Sequence, residues 1–275
     1  MLHSAEILVI GFGNMGRALV EGFLQNGIDA ERIHVVDPSD AAIAYAEELG
    51  IDASKELTGL THPPAVILLA VKPQIISSIL PELTRFNPMT TFYLSIAAGI
   101  DIDTLRKALG KEARIVRAMP NTPAAVKHGM TVLCHSGDLA MQQMALAETL
   151  MGCVGETQWV EREELMNAVT AVSGSGPAYF FLFIEALAKA GVKAGLPADL
   201  AQKLAVTTAW GAGELAYHKA EKGLTPTDLR KAVTSPGGTT EAALNVFERS
   251  SFAKIIEEAV IVAQKRGEIL NNEQQ

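Results

Sequence analysis

Apolar positions along the first part of the chain concentrate in five short, nearly continuous runs: residues 7–10, 33–36, 66–70, 91–95 and 115–118. The runs are rich in β-branched residues and do not alternate with polar ones. An unbroken apolar strand must be covered on both faces, as in a parallel sheet flanked by helices. Between the runs the pattern turns helical. Strands alternating with helices predict right-handed βαβ units and a doubly wound, mostly parallel sheet. Two weaker runs, 131–134 and 156–159, flank a helical pattern at 139–151 and are predicted to extend the sheet.

Beyond about residue 160 the strand pattern stops. Helical patterns cover 165–172, 179–194, 200–219, 226–233, 241–248 and 252–270. Glycine and proline predict breaks at 174–177, 195–197 and 236–238. The chain thus divides into an α/β domain over 1–160 and an all-helical domain over 161–275. Tyr179, Phe180, Phe181, Leu182, Phe183 and Ile184 form a helix that is apolar nearly all round. Such a helix needs burial on most faces. A small helical domain supplies little to bury it against, so at least a dimer is expected; the alternative is burial within one chain.

Composition narrows the field. Of 275 residues, 48% are apolar and 20% charged, as in a globular chain with a sizeable core. The net charge is −8 and no basic block occurs, so no nucleic-acid partner is expected. Residues 1–6 show no basic stretch leading into a cleavable apolar one, and no secretory signal is read. The densest apolar run, 64–71, is too short to span a bilayer, and no membrane association is expected. Cys134 and Cys153 lack CxxC spacing, which argues against a disulfide framework and for the cytoplasm. The six histidines are scattered, and no metal site is expected.

The strongest chemical signal is Gly11-Phe12-Gly13-Asn14-Met15-Gly16, between the first strand and a helix. There Gly11 permits a tight turn, Gly13 lets the backbone approach a diphosphate, and Gly16 allows close helix–strand packing. The helix start offers free N–H groups and a favourable dipole to that anion. Asp37 ends the second strand, 21 residues after Gly16. A carboxylate there accepts hydrogen bonds from ribose hydroxyls and repels a 2′-phosphate, favouring NADH; the bland reading is a helix cap. Three further loops follow strands: Ala70-Val71-Lys72-Pro73, then Ser95 to Gly99, then Met119 to Pro123 with Asn121. Ala97 and Ala98 leave room for a flat nicotinamide ring, and Lys72 either meets a cofactor oxygen or is simply solvated.

In the helical part, Ser173-Gly174-Ser175-Gly176-Pro177 is read as a turn between helices. Ser235-Pro236-Gly237-Gly238-Thr239-Thr240 precedes another helix. A glycine-rich turn opening a helix exposes N–H groups to a carboxylate or phosphate. Thr239 and Thr240 could instead simply cap the helix. Neither a Gly-x-Ser-x-Gly elbow nor a Ser/His/Asp arrangement suggests itself, and no Lys or His occurs in 164–172. Oxidising a C–OH needs a base for the hydroxyl proton, whereas a protonated C=N is already an electrophile. Imine reduction therefore fits better than a β-hydroxyacid dehydrogenase. A non-catalytic NAD(P) sensor is the remaining alternative.

Together, residues 11–18, 70–73, 95–99, 117–123, 172–179 and 235–240 resemble the pyrroline-5-carboxylate reductases, the family that completes proline biosynthesis. Arg117-Ala118-Met119-Pro120-Asn121-Thr122-Pro123 and the run from Ser235 to Thr240 are the most distinctive, and the matches span nearly the whole chain in order. The resemblance implies an N-terminal Rossmann domain and a C-terminal helical dimerisation domain interleaved with that of a second subunit, the dimers often forming decamers. It also implies reduction of 1-pyrroline-5-carboxylate to proline by hydride transfer from nicotinamide C4 to the imine carbon. By analogy, Gly11 to Gly16, Ala70 to Pro73, Ala97, Ala98 and Asn121 line the cofactor. Ser175, Ser235, Gly237, Gly238 and Thr239 hold the substrate, and the Thr240 hydroxyl lies near the ring nitrogen. Asp37 departs from the Ser or Thr often found in a family that commonly uses NADPH, though many of its members accept both cofactors. Ser39 still offers a 2′-phosphate a hydroxyl, so the cofactor expectation stays NADP(H) and/or NAD(H).

Overall fold

The computed structural model describes residues 5–57, 60 and 63–272; the first four residues of the chain start and the last three of the 161–275 segment lie outside them. The chain forms two compact units, Met1–Ser175 with Val262–Gln275, and Gly176–Ile261.

The first unit is built on an eight-stranded sheet in the order β3-β2-β1-β4-β5-β6-β7-β8. The strands are β1 (Ile7–Ile10), β2 (Ile33–Val36), β3 (Asp52–Ser54), β4 (Val66–Leu69), β5 (Phe92–Ser95), β6 (Ile115–Met119), β7 (Gly129–His135) and β8 (Gly155–Trp159). All neighbours pair in parallel except β6 and β7. Helices α1 (Asn14–Gln25), α2 (Asp40–Glu48), α3 (Pro73–Leu83), α4 (Ile102–Leu109) and α5 (Met141–Gly152) connect them. The nearly continuous apolar runs follow from burial on both faces. In β1, Ile7 and Val9 join a core with Leu19, Phe23 and Leu68, while Leu8 and Ile10 join a second with Ile67, Ile76 and Leu80. Each such side chain contributes about 1.5–3 kcal/mol by leaving water. The switch point between β1 and β4, where the strand order reverses, is where an open sheet of this kind binds ligands.

The unit continues past β8 through α6 (Met166–Val169) and a π-helical turn, Thr170–Gly174. The last turns of α11 (Phe252–Asn272) complete it. Asn271 Nδ2 donates to Asn167 Oδ1 at 3.3 Å, and a Cβ on Gly267 would lie 3.1 Å from the same oxygen.

The predicted break at 174–177 is an interruption of the regular α-helix rather than a loop: a π turn over Thr170–Gly174 and a bend at Ser175 lie within one helical stretch from Glu163 to Lys193. Pro177 has no N–H, so the carbonyl of Ser173 loses its ordinary helical partner. The chain widens into a π turn closed by Ser175 N–H to Thr170 O at 2.8 Å, and Asn121 Nδ2 takes the freed Ser173 carbonyl at 3.3 Å. By length and composition this 31-residue helix is apolar enough to cross a membrane, a feature hidden when the segment is read as two pieces.

The second unit holds α7 (Gly176–Lys193), α8 (Ala198–Ala220), α9 (Pro226–Ala232), α10 (Thr239–Arg249) and the start of α11. Its buried residues are small, namely Gly176, Ala188, Ala201 and Ala205. Phe180, Phe181 and Leu182 are 68%, 64% and 66% exposed, so burial within one chain is not how this helix is covered.

Candidate active site

The turn from β1 to α1 forms the first half of the site. Gly11 adopts φ +95°, donates its N–H to Val36 O at 2.8 Å, and leaves no room for a side chain. A Cβ there would lie 2.8 Å from the Ala70 carbonyl and from Val71 Cγ1. A Cβ on Gly16 would lie 2.5 Å from Gly11 O, so these two glycines are fixed by packing. Gly13 differs: it is the exposed N-cap of α1, supplies no side-chain acceptor, and a Cβ there would meet nothing within 4 Å. The first-turn N–H groups of α1 therefore face open space, which suits a diphosphate.

Asp37 is not a helix cap, because α2 takes Ser39 as its N-cap residue. Its Oδ2 accepts the Phe12 N–H at 2.7 Å and its Oδ1 the Ser39 N–H at 2.9 Å, which ties the glycine turn to the end of β2. Beside it, Arg17 donates Nε to Phe12 O at 2.9 Å and lies over the Phe12 and Tyr45 rings. The Tyr45 hydroxyl donates to Glu21 at 2.7 Å, which raises its pKa.

The other strand ends place the remaining candidates. Ala70 and Val71 are half-buried beside the turn, and Lys72 is an exposed N-cap of α3 with Pro73 at the first helical position. Ala97 is buried, with its N–H near Ser95 Oγ at 3.4 Å, and Ala98 is exposed. Asn121 is heavily committed to structure: Nδ2 reaches Ser173 O and Oγ at 3.3 and 3.2 Å, and Oδ1 accepts the Met130 N–H at 2.9 Å. Ser175, half-buried, closes the π turn rather than occupying a turn between helices.

In the second unit, residues 235–240 form the expected tight turn. Gly238 donates to Ser235 O at 3.0 Å and Gly237 sits at φ +72°. Ser235 and Gly237 are exposed. The capping expectation for the threonines fails. Gly238 is the N-cap residue with no side-chain cap bond, and Thr239 and Thr240 are already helical. Glu241 supplies the reach-back instead, its Oε2 accepting the Gly237 N–H at 2.7 Å. A carboxylate thus already occupies one of the amides read as carboxylate donors. A cavity of about 840 Å³ in this unit, lined by Phe183, Arg230, Asn245 and Phe252 among others, includes none of residues 235–240.

Two features escaped sequence reading. Arg117, 4% exposed on β6, pairs with Glu163 Oε1 at 2.8 Å, and the same oxygen accepts the Ile102 N–H at 2.9 Å. An arginine inside an apolar strand run was the available signal. Contrary to expectation, a Ser/His/Asp cluster does form: His34 Nδ1 lies 2.9 Å from Asp52 and Nε2 2.9 Å from Ser54 Oγ. The Ser54 hydroxyl donates to Glu56 O at 2.7 Å, so its proton is not offered to the imidazole and the cluster ties β2 to β3. Among the described residues no three metal-ligating side chains converge.

Comparison with known proteins bears on the whole chain. A family model described as pyrroline-5-carboxylate reductase dimerisation matches residues 163–270, and one described as NADP oxidoreductase, coenzyme F420-dependent, matches residues 6–99. The pyrroline-5-carboxylate reductase of Haemophilus influenzae is 38% identical over 262 residues, covering 95% of this chain and 96% of that protein. A solved pyrroline-5-carboxylate reductase from Coxiella burnetii superposes with a TM-score of 0.90 at 36% identity, over 97% of this chain and 98% of that one. The Plasmodium falciparum pyrroline carboxylate reductase, solved with NADP bound, superposes with a TM-score of 0.85 at 28% identity, over 98% of this chain and 100% of that one.

Proposed function

The chain belongs to the pyrroline-5-carboxylate reductase family, and from that premise we infer that it reduces 1-pyrroline-5-carboxylate to L-proline with NAD(P)H. The observation that carries the reading is the unblocked start of α1, where Gly13 opens the first-turn N–H groups to an anion while Gly11 and Gly16 hold the turn closed behind it. NAD(P)H, when bound, supplies hydride from nicotinamide C4 to the imine carbon.

The chain's own residues position and charge-match the reactants. Backbone N–H groups of Gly13, Asn14, Met15 and Gly16 hold the diphosphate. Phe12, Asp37 and Ser39 border the adenosine ribose; Ala70, Val71, Lys72 and Pro73 form one wall, and the small Ala97 and Ala98 admit the nicotinamide. Asn121 acts chiefly by fixing the strand end. Within the turn at 235–240, the Ser235 hydroxyl and the Thr239 N–H present donors to the substrate carboxylate, while Gly237 and Gly238 spend their own N–H groups on closing the turn. Thr240 Oγ1 lies near the ring nitrogen. No general base is required, because the protonated imine already carries the proton that the product amine keeps.

The assembly is a homo-oligomer. We infer a dimer through residues 163–270, with larger rings such as a decamer built from it. The exposed apolar residues of α7 then face a partner subunit rather than lipid. The reading places the enzyme in the cytoplasm, with no nucleic-acid partner. Mixing the purified chain with pyrroline-5-carboxylate and NADH or NADPH is expected to consume the reduced cofactor's absorbance and yield proline. No consumption with either cofactor would overturn the assignment.

A further inference from the structure

We propose that Asp37 sets the cofactor preference and makes this enzyme favour NADH over NADPH. The proposal rests on the dinucleotide reading above and adds to it which cofactor the site selects. It runs against the NADP in the description of the model matching residues 6–99 and in the solved Plasmodium relative.

The argument is geometric. Asp37 follows directly on β2, and its own N–H donates to Ser54 O at 3.1 Å, which fixes the backbone. The side chain is then clamped by two amides, Phe12 N–H on Oδ2 at 2.7 Å and Ser39 N–H on Oδ1 at 2.9 Å. A carboxylate has about four acceptor positions, so roughly half remain for further donors. The ribose hydroxyls of NADH are such donors. A 2′-phosphate brings no donor and about −1.5 to −2 of charge by analogy with other phosphomonoesters. To admit it, the carboxylate would have to turn away, and the clamp opposes that by holding the Phe12 amide of the glycine turn.

A countercharge could rescue NADPH, but the loop does not supply one. Residues 38–42 contain no Lys or Arg and add a second carboxylate, Asp40. The Lys55 ammonium pairs with Asp40 at 2.6 Å. Arg17 has its Nε on Phe12 O and its guanidinium over the Phe12 and Tyr45 rings. The Ser39 hydroxyl brings no charge.

Titrating the full-length protein with NADH and with NADPH, followed by nicotinamide fluorescence, tests this without turnover. NADH is expected to bind at least about tenfold tighter. Asp37→Asn keeps an oxygen for the Phe12 N–H while removing the charge, and is expected to shrink that ratio to within about threefold, mainly by tightening NADPH. Asp37→Ser should shift it further. Equal or tighter NADPH binding by the unmodified protein overturns the proposal alone, as does an unchanged ratio in a stably folded Asp37→Asn. Failure of both cofactors to bind overturns the dinucleotide reading together with it. If both variants fail to fold, the ratio in the unmodified protein decides.

Discussion

Gly11 and Gly13 stand two residues apart in one turn, yet physics gives them opposite consequences. At Gly11 an added methyl meets the Ala70 backbone at 2.8 Å in a positive-φ conformation, so both strain and overlap oppose it. Gly11→Ala is expected to destabilise the first unit by about 1–3 kcal/mol or more, read as a lower Tm. At Gly13 the methyl meets nothing within 4 Å and φ is −75°, so Gly13→Ala should leave Tm almost unchanged. It should nonetheless weaken NADH and NADPH binding strongly, because the open space is the room reserved for the diphosphate. A Gly13→Ala protein that binds dinucleotide normally would remove that role. In the second unit, Thr240→Ala is expected to slow turnover by roughly 10²-fold or more, the scale of losing one preorganised hydrogen-bonding group at the reacting centre, with cofactor affinity retained. Thr240 is half-buried, and its hydroxyl makes no hydrogen bond among the described residues, which leaves it available to a substrate.

At the scale of elements, the π turn at Thr170–Gly174 shows where pattern reading ends and packing begins. Asn121 serves as the staple: one side-chain amide joins the end of β6, the start of β7 and the carbonyl that Pro177 leaves free. Asn121→Ala is expected to cost about 2–3 kcal/mol in urea unfolding, since it orphans the Met130 N–H and the Ser173 carbonyl together. A change within a few tenths of a kcal/mol would mean that water replaces the staple. The β1, β2, β4, β5 and β6 strands were legible because each is apolar on two buried faces. β3 was not, since Asp52, Ala53 and Ser54 form a three-residue edge strand held by pairing to β2 and by the His34 contacts, with no apolar run to announce it. The break at 174–177 was legible from Gly and Pro, but its form, a π turn and a bend with Asn121 on the Ser173 carbonyl rather than a loop, depends on a tertiary partner. Likewise, the turn at 235–240 was legible from its glycines, but the Glu241 carboxylate on the Gly237 amide was not, because a side chain's reach-back depends on its rotamer.

For the whole molecule, the decisive quantity is the apolar surface that a single chain leaves uncovered in the second unit. Phe180, Phe181, Leu182 and Trp210 are all close to two-thirds exposed, on α7 and α8, within the stretch matched by the dimerisation model. Isolated exposed hydrophobics need no explanation, but a concentration of large ones marks an interface. In a twofold dimer each substitution acts twice. Burying one phenylalanine is worth about 1.5–3 kcal/mol, so Phe180→Asp should weaken the dimer by about 3–6 kcal/mol, or roughly 10²–10⁴-fold in dissociation constant. Sedimentation velocity across a dilution series checks this directly. The unmodified protein should also show a Tm that rises with concentration, since assembly stabilises by mass action, and Phe180→Asp should lose that dependence. Met141 is the control: it is 87% exposed, more than any residue of this patch, but lies on α5 in the first unit. Met141→Asp should leave sedimentation unchanged. Equal weakening by both substitutions, or by neither, would detach the exposed face of α7 and α8 from assembly.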